Sequence, residues 1–548
     1  MVDAAAPSAL VTIKLDGVDI QVSAGVNLIA AAQSVGVEIP HYCYHPDLSI
    51  AGNCRMCQVE VAGMPKLTIA CNTVVKEGMD VRTQHSSQLV KDAQAATLEF
   101  ILINHPLDCT VCDQAGHCKL QDYHYEYNAR PSRFLEDKVH KVKALPLGST
   151  VNLDGERCIS CTRCVRFCDE VTQTSELGLV NRGDRTVIAI NEDRPLENPL
   201  SGTVVDLCPV GALTHREWRF NSRIWFTNQT DSICPGCSTG CNIKAAERDG
   251  KVVLVKGRYN QKVNKEWLCD EGRYGMKRFL PDARVVMPMR RGREASWGEA
   301  KEFWKSFGKD GATLVLCSPD LTLEDYALIK EVCDAKGAQI QYATQYRERT
   351  LSKEEKVLVS PDYASNFRGA QALGLTSSNC ERLYVEAIAG IRRGAFRHIL
   401  ICGDRAISAE DVDGTLVEQI KQANTMACLV NSASPLIDVE LVIPIRSVLE
   451  RSGLMINRGM RLQYLDRLVP FVESAQLVWR WFAALADGQG SYGSALSEHS
   501  TEREATLAVL AKCEALYRGG GGEAKRLTIA DIKGSGVDCS AVFLNSSV

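Results

Sequence analysis

The sequence predicts an α+β protein of several domains, on three observations. At about 100–200 residues per domain, 548 residues make three or four domains with ample core. Sixteen of the 23 cysteines lie at or before Cys269, in tight local groups that small loop-rich domains carry. Beyond residue 275 the character changes to short apolar runs separated by helical stretches, the pattern of a parallel α/β domain.

The elements follow in order. Val11, Ile13 and Leu15 alternate up to Asp16-Gly17, and Val18, Ile20 and Val22 alternate after it, which predicts a β-hairpin. Asn27 to Val35 has helical spacing. A long loop then carries Cys43, Cys54, Cys57 and Cys71. Ser86 to Asn104 predicts a helix with Leu89, Ala93, Ala96 and Phe100 as its apolar residues, ended by His105-Pro106. In the last part, Thr313–Cys317, His398–Cys402, Ala427–Val430 and Leu441–Ile443 read as strands. From about Asp487 the chain turns Gly/Ser-rich, and Gly519–Gly522 predicts a linker and a weakly ordered end after a final helix.

Composition excludes several classes. With 63 basic against 67 acidic residues, net charge −4, no strong field draws nucleic acid. No apolar run approaches the roughly 18 residues of a membrane span, and Met1 to Leu10 carries Asp3 and no basic residue, unlike a signal peptide. A soluble protein is expected, with membrane contact only through partners. A long chain with Cys-x2-Cys groups points to metal in a reducing compartment rather than to a disulfide framework.

Thiolates two or three residues apart let one loop wrap a metal or a cluster, so each group is weighed between zinc and iron–sulfur. The first, C-x10-C-x2-C-x13-C (Cys43, Cys54, Cys57, Cys71), lacks the paired knuckles of a zinc ribbon and is related to the plant-type [2Fe–2S] arrangement. Gly52 and Asn53 permit a tight backbone before Cys54. The second has only Cys109, Cys112 and Cys118, so a fourth ligand is needed; His105, His117, Asp108 and Asp113 are the candidates. The third, Cys158-x2-Cys161-x2-Cys164-x3-Cys168, has the spacing of the bacterial ferredoxin run but Asp169 in place of its Pro. In such runs the fourth Cys ligates another cluster, and no second run follows before Cys208-Pro209. Cys158, Cys161, Cys164 and Cys208 therefore make one [4Fe–4S] set, and Cys168 is left over, read as a buried thiol in preference to the alternative of an iron ligand. The fourth group, Cys234, Cys237, Cys241 and Cys269, suits zinc or [4Fe–4S] by spacing and, after three cluster motifs, is read as a fourth cluster. Cys317, Cys333, Cys380, Cys402, Cys428, Cys513 and Cys539 are scattered singly and read as core or surface thiols. There is no Gly-rich dinucleotide fingerprint, Walker loop or HExxH, and Cys402-Gly403-Asp404 reads as a strand-end turn. Grouped clusters without a substrate site describe an electron wire.

The order of these groups resembles the 75-kDa iron–sulfur subunit family of respiratory NADH:quinone oxidoreductase, complex I, from about Val11 to Gln463. The resemblance rests on the four motifs in order, on Ser201-Gly202 through Cys208-Pro209-Val210-Gly211-Ala212-Leu213, and on Val263-Asn264 through Trp267, Cys269, Gly272 and Arg273. It implies a β-grasp fold for the [2Fe–2S] domain, two [4Fe–4S] ferredoxin-like segments, and His105 as ligand of the second cluster. In the family the fourth cluster is found only in some bacterial members, sits off the main path and is thought to be structural. Asp438 through Pro444, then Glu450, Gly453, Asn457, Arg461 and Gln463, resemble the molybdopterin oxidoreductase superfamily. Gly459-Met460, where an acidic residue and Gly are typical, and a domain of roughly 270 residues imply an α/β domain that lacks the cofactor.

The segments expected are 1–82, the [2Fe–2S] domain; 83–140, the His/Cys3 [4Fe–4S] domain; 141–226, the ferredoxin-like [4Fe–4S] domain; 227–283, the fourth cluster; 284–485, the pterin-oxidoreductase-like domain; and 486–548, a helix and flexible tail. The resemblance implies one [2Fe–2S] and three [4Fe–4S] clusters, no molybdopterin, FMN or NAD on this chain, and no bond made or broken on it. Partners would be an NADH/FMN-binding subunit and quinone-side peripheral-arm subunits, at the cytoplasmic face of a bacterial inner membrane. The rival readings are the electron-transfer subunit of a soluble NAD-linked hydrogenase or formate dehydrogenase, and a zinc scaffold.

Overall fold

Two apolar alternations meet at Asp16-Gly17, where both residues take positive φ (49° and 85°), the two-residue turn whose twist matches its strands. Leu10–Leu15 and Val18–Ser23 pair antiparallel around it, from Leu10↔Ser23 to Leu15↔Val18. This computed structural model describes residues 9–128, 130–191, 194–336, 339–486, 488–493, 495–497, 499–517 and 528–539. The chain divides into two compact units, Met1–Thr227 and Asn228–Val548.

In the first unit the hairpin joins a five-stranded mixed sheet in the order Val18–Ser23, Leu10–Leu15, Asp80–Arg82, Gln58–Val61, Thr68–Ile69. Leu10–Leu15 runs parallel to Asp80–Arg82. The helix Leu28–Ser34 starts where Asn27 accepts from the Ala30 amide at 2.9 Å. It buries Leu28, Ile29, Ala31 and Ala32 with Ile13, Leu15, Val22, Val59 and Val81 of the sheet.

The next helix, Gln88–Leu102, is capped by Ser87. It stops at Leu102, short of His105-Pro106. Its buried face is Val90, Gln94 and Leu98, while Leu89 and Phe100 are 59% and 74% exposed. This corrects the face expected from the sequence. Gln94 faces inward with its side-chain amide donating to the Gln58 carbonyl at 3.1 Å, which offsets part of the cost of burying it; its Oε1 is buried without a partner among the described residues. The helices Lys119–Tyr127, Arg163–Glu170 and Thr203–Leu207, a small sheet of Leu145–Pro146, Val151–Leu153 and Leu213–His215, and an antiparallel pair, Leu177–Val180 with Val187–Ile190, also belong to this unit.

The second unit opens with three antiparallel strands, Asn228–Ile233, Asn242–Arg248 and Lys251–Gly257. A seven-stranded sheet follows. Leu441–Pro444, Asn424–Leu429, His398–Cys402, Thr313–Cys317 and Ile340–Thr344 lie parallel in that order, with an antiparallel hairpin, Met289–Arg290 and Arg293–Glu294, at one edge. All four runs read as strands are in it. Their continuous apolar character has a physical cause: both faces are covered. Val315 and Cys317 pack with Phe303, Trp304, Tyr326 and Trp479, whereas Leu314 and Leu316 pack with Tyr384, Ile388 and Leu416.

The sheet also aligns three cysteines that look isolated in sequence. Cys317 pairs in register with Cys402, and Cys402 with Cys428. All three are fully buried. The turn after His398–Cys402 is structural, since Asp404 accepts the Val430 and Asn431 amides at 3.0 and 3.1 Å.

The last long helix is Glu502–Tyr517. Gly519–Gly522 lies outside the described residues, as does the Cys513 side chain. The weakly ordered end is corrected in part: Ile529–Lys533 is helical, and Val537–Asp538 pairs with Arg461–Leu465 in a second small sheet. Among the described residues no helix is long and apolar enough to cross a membrane.

Candidate iron–sulfur sites

The first four cysteines meet at one corner of the hairpin–helix domain. Gly52 reaches the left-handed region (φ 62°) and Arg55 follows (φ 56°), which tightens the chain around Cys54. The sulfurs converge as two pairs. The Cys43 amide lies 3.5 Å from Cys54 Sγ. A hydrogen bond from Cys54 holds the Cys43 thiol down at about 5, and Cys57 lowers Cys71 in the same way. In each pair the hydrogen bond and burial push the partner, Cys54 or Cys57, up, so each pair shares a proton that binding iron would release. Two close thiol pairs suit two iron atoms, so the donor set fits a [2Fe–2S] cluster.

The second group surrounds a cavity of about 290 Å³ lined by His105, Cys109, Cys112, Cys118, Arg157 and Gly211, among others. Of the four candidate fourth ligands, His105 and Asp108 line it. Asp108 is already engaged, accepting from Lys143 Nζ at 2.6 Å and from Arg157 Nη2 at 2.9 Å. Asp113 accepts the Phe220 amide at 3.0 Å. His105 is different. Burial first, and then the charges of Arg157 and Lys138, push it down to about 4, so it is neutral at pH 7. Its buried Nδ1 has no hydrogen-bond partner among the described residues. A neutral imidazole beside three thiols fits a His/Cys3 cluster. Gly211 is required here, because a Cβ on it would overlap Cys112 Sγ. In a redox titration, His105→Cys is expected to lower this centre's potential, since thiolate adds a negative charge where imidazole had none. An unchanged potential would place the ligand elsewhere.

The third cavity, about 350 Å³, is lined by Cys158, Cys161, Cys164 and Cys208 together with Leu153, Ile188 and Leu213. The structure thus brings Cys208 from 44 residues beyond Cys164 to the same space. Cys168 does not line it and is fully buried on the helix Arg163–Glu170. Burial, then Glu176 and Asp169, push its thiol up, which opposes thiolate formation. Four sulfurs in an apolar shell fit a [4Fe–4S] cluster.

The fourth cavity, about 340 Å³, belongs to the second unit and is lined by Cys234, Cys237, Cys241 and Cys269. Glycines make its cradle. The Gly236 and Gly272 amides lie 3.4 and 3.3 Å from Cys234 and Cys269 Sγ, and a Cβ on Gly272 would stand 3.1 Å from Cys234 Sγ. The Cys237–Cys241 loop is fastened to the rest of its unit. Ser238 donates to Asp362 at 2.7 Å, Thr239 to the Leu358 carbonyl at 2.9 Å, and Gln463 to the Gly240 carbonyl at 2.9 Å.

Within the first unit the three cysteine sites have a spatial order that differs from their sequence order. Asn53, beside Cys54, donates to the Ser160 carbonyl at 3.0 Å. Arg166 donates to the carbonyls of Cys43 at 2.5 Å and Cys161 at 3.3 Å, and also to Ser49. The first site therefore abuts the third. The third abuts the second: Cys118 Sγ lies 3.9 Å from the Pro209 carbonyl, and Gly211 lies against Cys112. Sequence reasoning missed Arg157 and Arg166; the one signal was that each neighbours or follows a cluster cysteine.

Fold and sites define an iron–sulfur protein of several cluster-binding modules. Four family models match in order: a 2Fe-2S iron-sulfur cluster binding domain over residues 8–86, the NADH-ubiquinone oxidoreductase-G iron-sulfur binding region over 94–133, the ferredoxin-like domain of NADH-quinone oxidoreductase subunit 3 over 148–214, and a molybdopterin oxidoreductase Fe4S4 domain over 227–280. The chain is homologous to the G subunit of NADH-quinone oxidoreductase. It is 37% identical to that subunit of Streptomyces coelicolor over 68% of this chain and 45% of the relative. It is 35% identical to the NADH-ubiquinone oxidoreductase 75 kDa subunit of Reclinomonas americana, over 65% of this chain and 53% of the relative. With the G subunit of Rickettsia felis the values are 38%, 53% and 43%. The chain spans about half the length of these curated relatives. Among solved structures, a chain of an NAD+-reducing [NiFe]-hydrogenase in the H2-reduced state is 26% identical, covering 39% of this chain and 92% of that one, with a TM-score of 0.34.

Proposed function

We propose that this chain is the electron-transfer subunit of an NADH:quinone oxidoreductase, taking electrons from an NADH/FMN-binding subunit and delivering them to quinone-side subunits. The observation that supports it best is the run of three abutting cysteine sites in the first unit, ordered first, third, second. Iron–sulfur clusters, when bound, supply one-electron acceptance and release. The residues do the rest. Cys43, Cys54, Cys57 and Cys71 would hold a [2Fe–2S] cluster on the β-grasp domain. His105, Cys109, Cys112 and Cys118; Cys158, Cys161, Cys164 and Cys208; and Cys234, Cys237, Cys241 and Cys269 would each hold a [4Fe–4S] cluster. Leu153, Ile188 and Leu213 exclude water from the third centre, and backbone amides at Gly236 and Gly272 are placed to bond sulfur at the fourth.

The fastening of the Cys237–Cys241 loop by Ser238, Thr239 and Gln463 supports a structural role for the fourth centre. In the α/β domain, protein groups contact one another at the strand ends where the order switches between Thr313–Cys317 and His398–Cys402. Ser318 donates to Asp320 at 2.5 Å, Arg451 reaches the Asp320 carbonyl at 2.8 Å, and Gly403 lies against Ser318. Those contacts support a domain without molybdopterin. The chain would sit peripherally at the cytoplasmic face of a bacterial inner membrane, held there by its complex.

Metal analysis of the anaerobically purified protein tests this directly. One [2Fe–2S] and three [4Fe–4S] clusters predict about 14 Fe per chain, with no Mo, W or stoichiometric Zn. Stoichiometric Mo or W would make the α/β domain a working active site and overturn the reading.

A further inference from the structure

Arg157 is the side chain that the cluster motifs do not account for. It is 4% exposed, yet it belongs to no cysteine set. Its guanidinium is held on one side by acids: Nε and Nη2 donate to Asp108 at 3.2 and 2.9 Å, and Nε lies 3.4 Å from Asp154. Lys143 shares those acids, at 2.6 Å from Asp108 and 3.5 Å from Asp154, and reaches Glu156 at 2.7 Å. The other edge of the guanidinium is unsatisfied. Nη1 is buried without a hydrogen-bond partner among the described residues, and Arg157 lines the cavity of His105, Cys109, Cys112 and Cys118.

A buried cationic N–H left unpaired costs more than a neutral one, so a native site with this geometry calls for an acceptor in the cavity. Of the oxygen acceptors lining that cavity among the described residues, Asp108 is held by Lys143 and by the other edge of Arg157, and Gln121 Oε1 accepts the Gly116 amide at 3.1 Å, which leaves the sulfurs of the cysteine set for Nη1. We propose that Arg157 tunes the second centre, with Nη1 donating a charge-assisted hydrogen bond to a sulfur of the cluster or of Cys112, so that its charge stabilises the reduced state. The acids on its far edge fix the guanidinium in place, and the peptide bond to Cys158 carries the same residue into the third cysteine set. This inference rests on the reading of the second cavity as a cluster site.

The test is an EPR-monitored redox titration of the full chain, purified anaerobically. Arg157→Gln is expected to favour the oxidised second cluster at least tenfold, a shift of about 59 mV to more negative potential for one electron, with the other centres unmoved. Arg157→Lys, which keeps the charge, restores most of the shift. A potential that does not move, or one that moves equally at every centre, overturns the proposal. A second measurement needs no variant to fold: in unaltered protein grown on 15N-arginine, the reduced second cluster is expected to show a guanidinium nitrogen coupling in pulsed EPR, and its absence overturns the proposal. If the unaltered protein lacks the second cluster's signal altogether, the underlying site reading fails and this proposal falls with it.

Discussion

Replacing Cys208 by Ser is expected to remove about four iron atoms per chain and the signal of one [4Fe–4S] centre, whereas Cys168→Ala is expected to leave iron content unchanged. The contrast is sharp because both residues stand at the fourth place of a plausible set. Cys168 completes the local spacing, but the third cavity is lined by Cys208, and Cys168 is buried away from it. A hydroxyl in place of the Cys208 thiol offers iron a poor ligand at neutral pH. Removing the Cys168 sulfur leaves a small cavity in the core instead, at a cost of about 1 kcal/mol. Iron assay and thermal unfolding of the two variants separate ligation from packing. Lost iron in Cys168→Ala, with iron retained in Cys208→Ser, would reverse the assignment.

The second large effect is expected from Gly211→Ala. Gly211 does not need a left-handed backbone, so the cost is steric alone. Its added Cβ would overlap Cys112 Sγ and stand 3.1 Å from Gln114 Cβ. Overpacking of this kind costs about 1–3 kcal/mol where neighbours can shift. Here the neighbour is a proposed ligand that cannot shift without leaving its place. Loss of about four iron atoms and of the second centre's signal is therefore expected, with the [2Fe–2S] signal retained. Full iron content in Gly211→Ala would mean that Cys112 moves freely and does not ligate. The variant also tests the junction, because Gly211 lies on the loop that begins with Cys208 and so joins the third site to the second.

Much of this protein is determined by short-range spacing. A two-residue gap between cysteines brings their sulfurs to one turn of loop whatever surrounds it, so Cys54-Cys57, Cys109-Cys112, Cys158-Cys161-Cys164 and Cys234-Cys237 are legible without a fold. The hairpin at Asp16-Gly17 and four of the parallel strands are legible for a similar reason: alternation and continuous apolar runs report how many faces of a strand are covered. Tertiary structure alone decided the rest. Which face of Gln88–Leu102 turns inward depends on the Gln58 carbonyl that waits for Gln94, and no periodicity contains that information. His105 stands apart from Asp108 only because Lys143 and Arg157, 38 and 52 residues further on, claim the carboxylate and leave the imidazole unpartnered. Cys317, Cys402 and Cys428, read singly, become a buried row because the parallel sheet sets them in register. Hydrogen-bond partners and register are relations between distant segments, and distance along the chain carries no record of them.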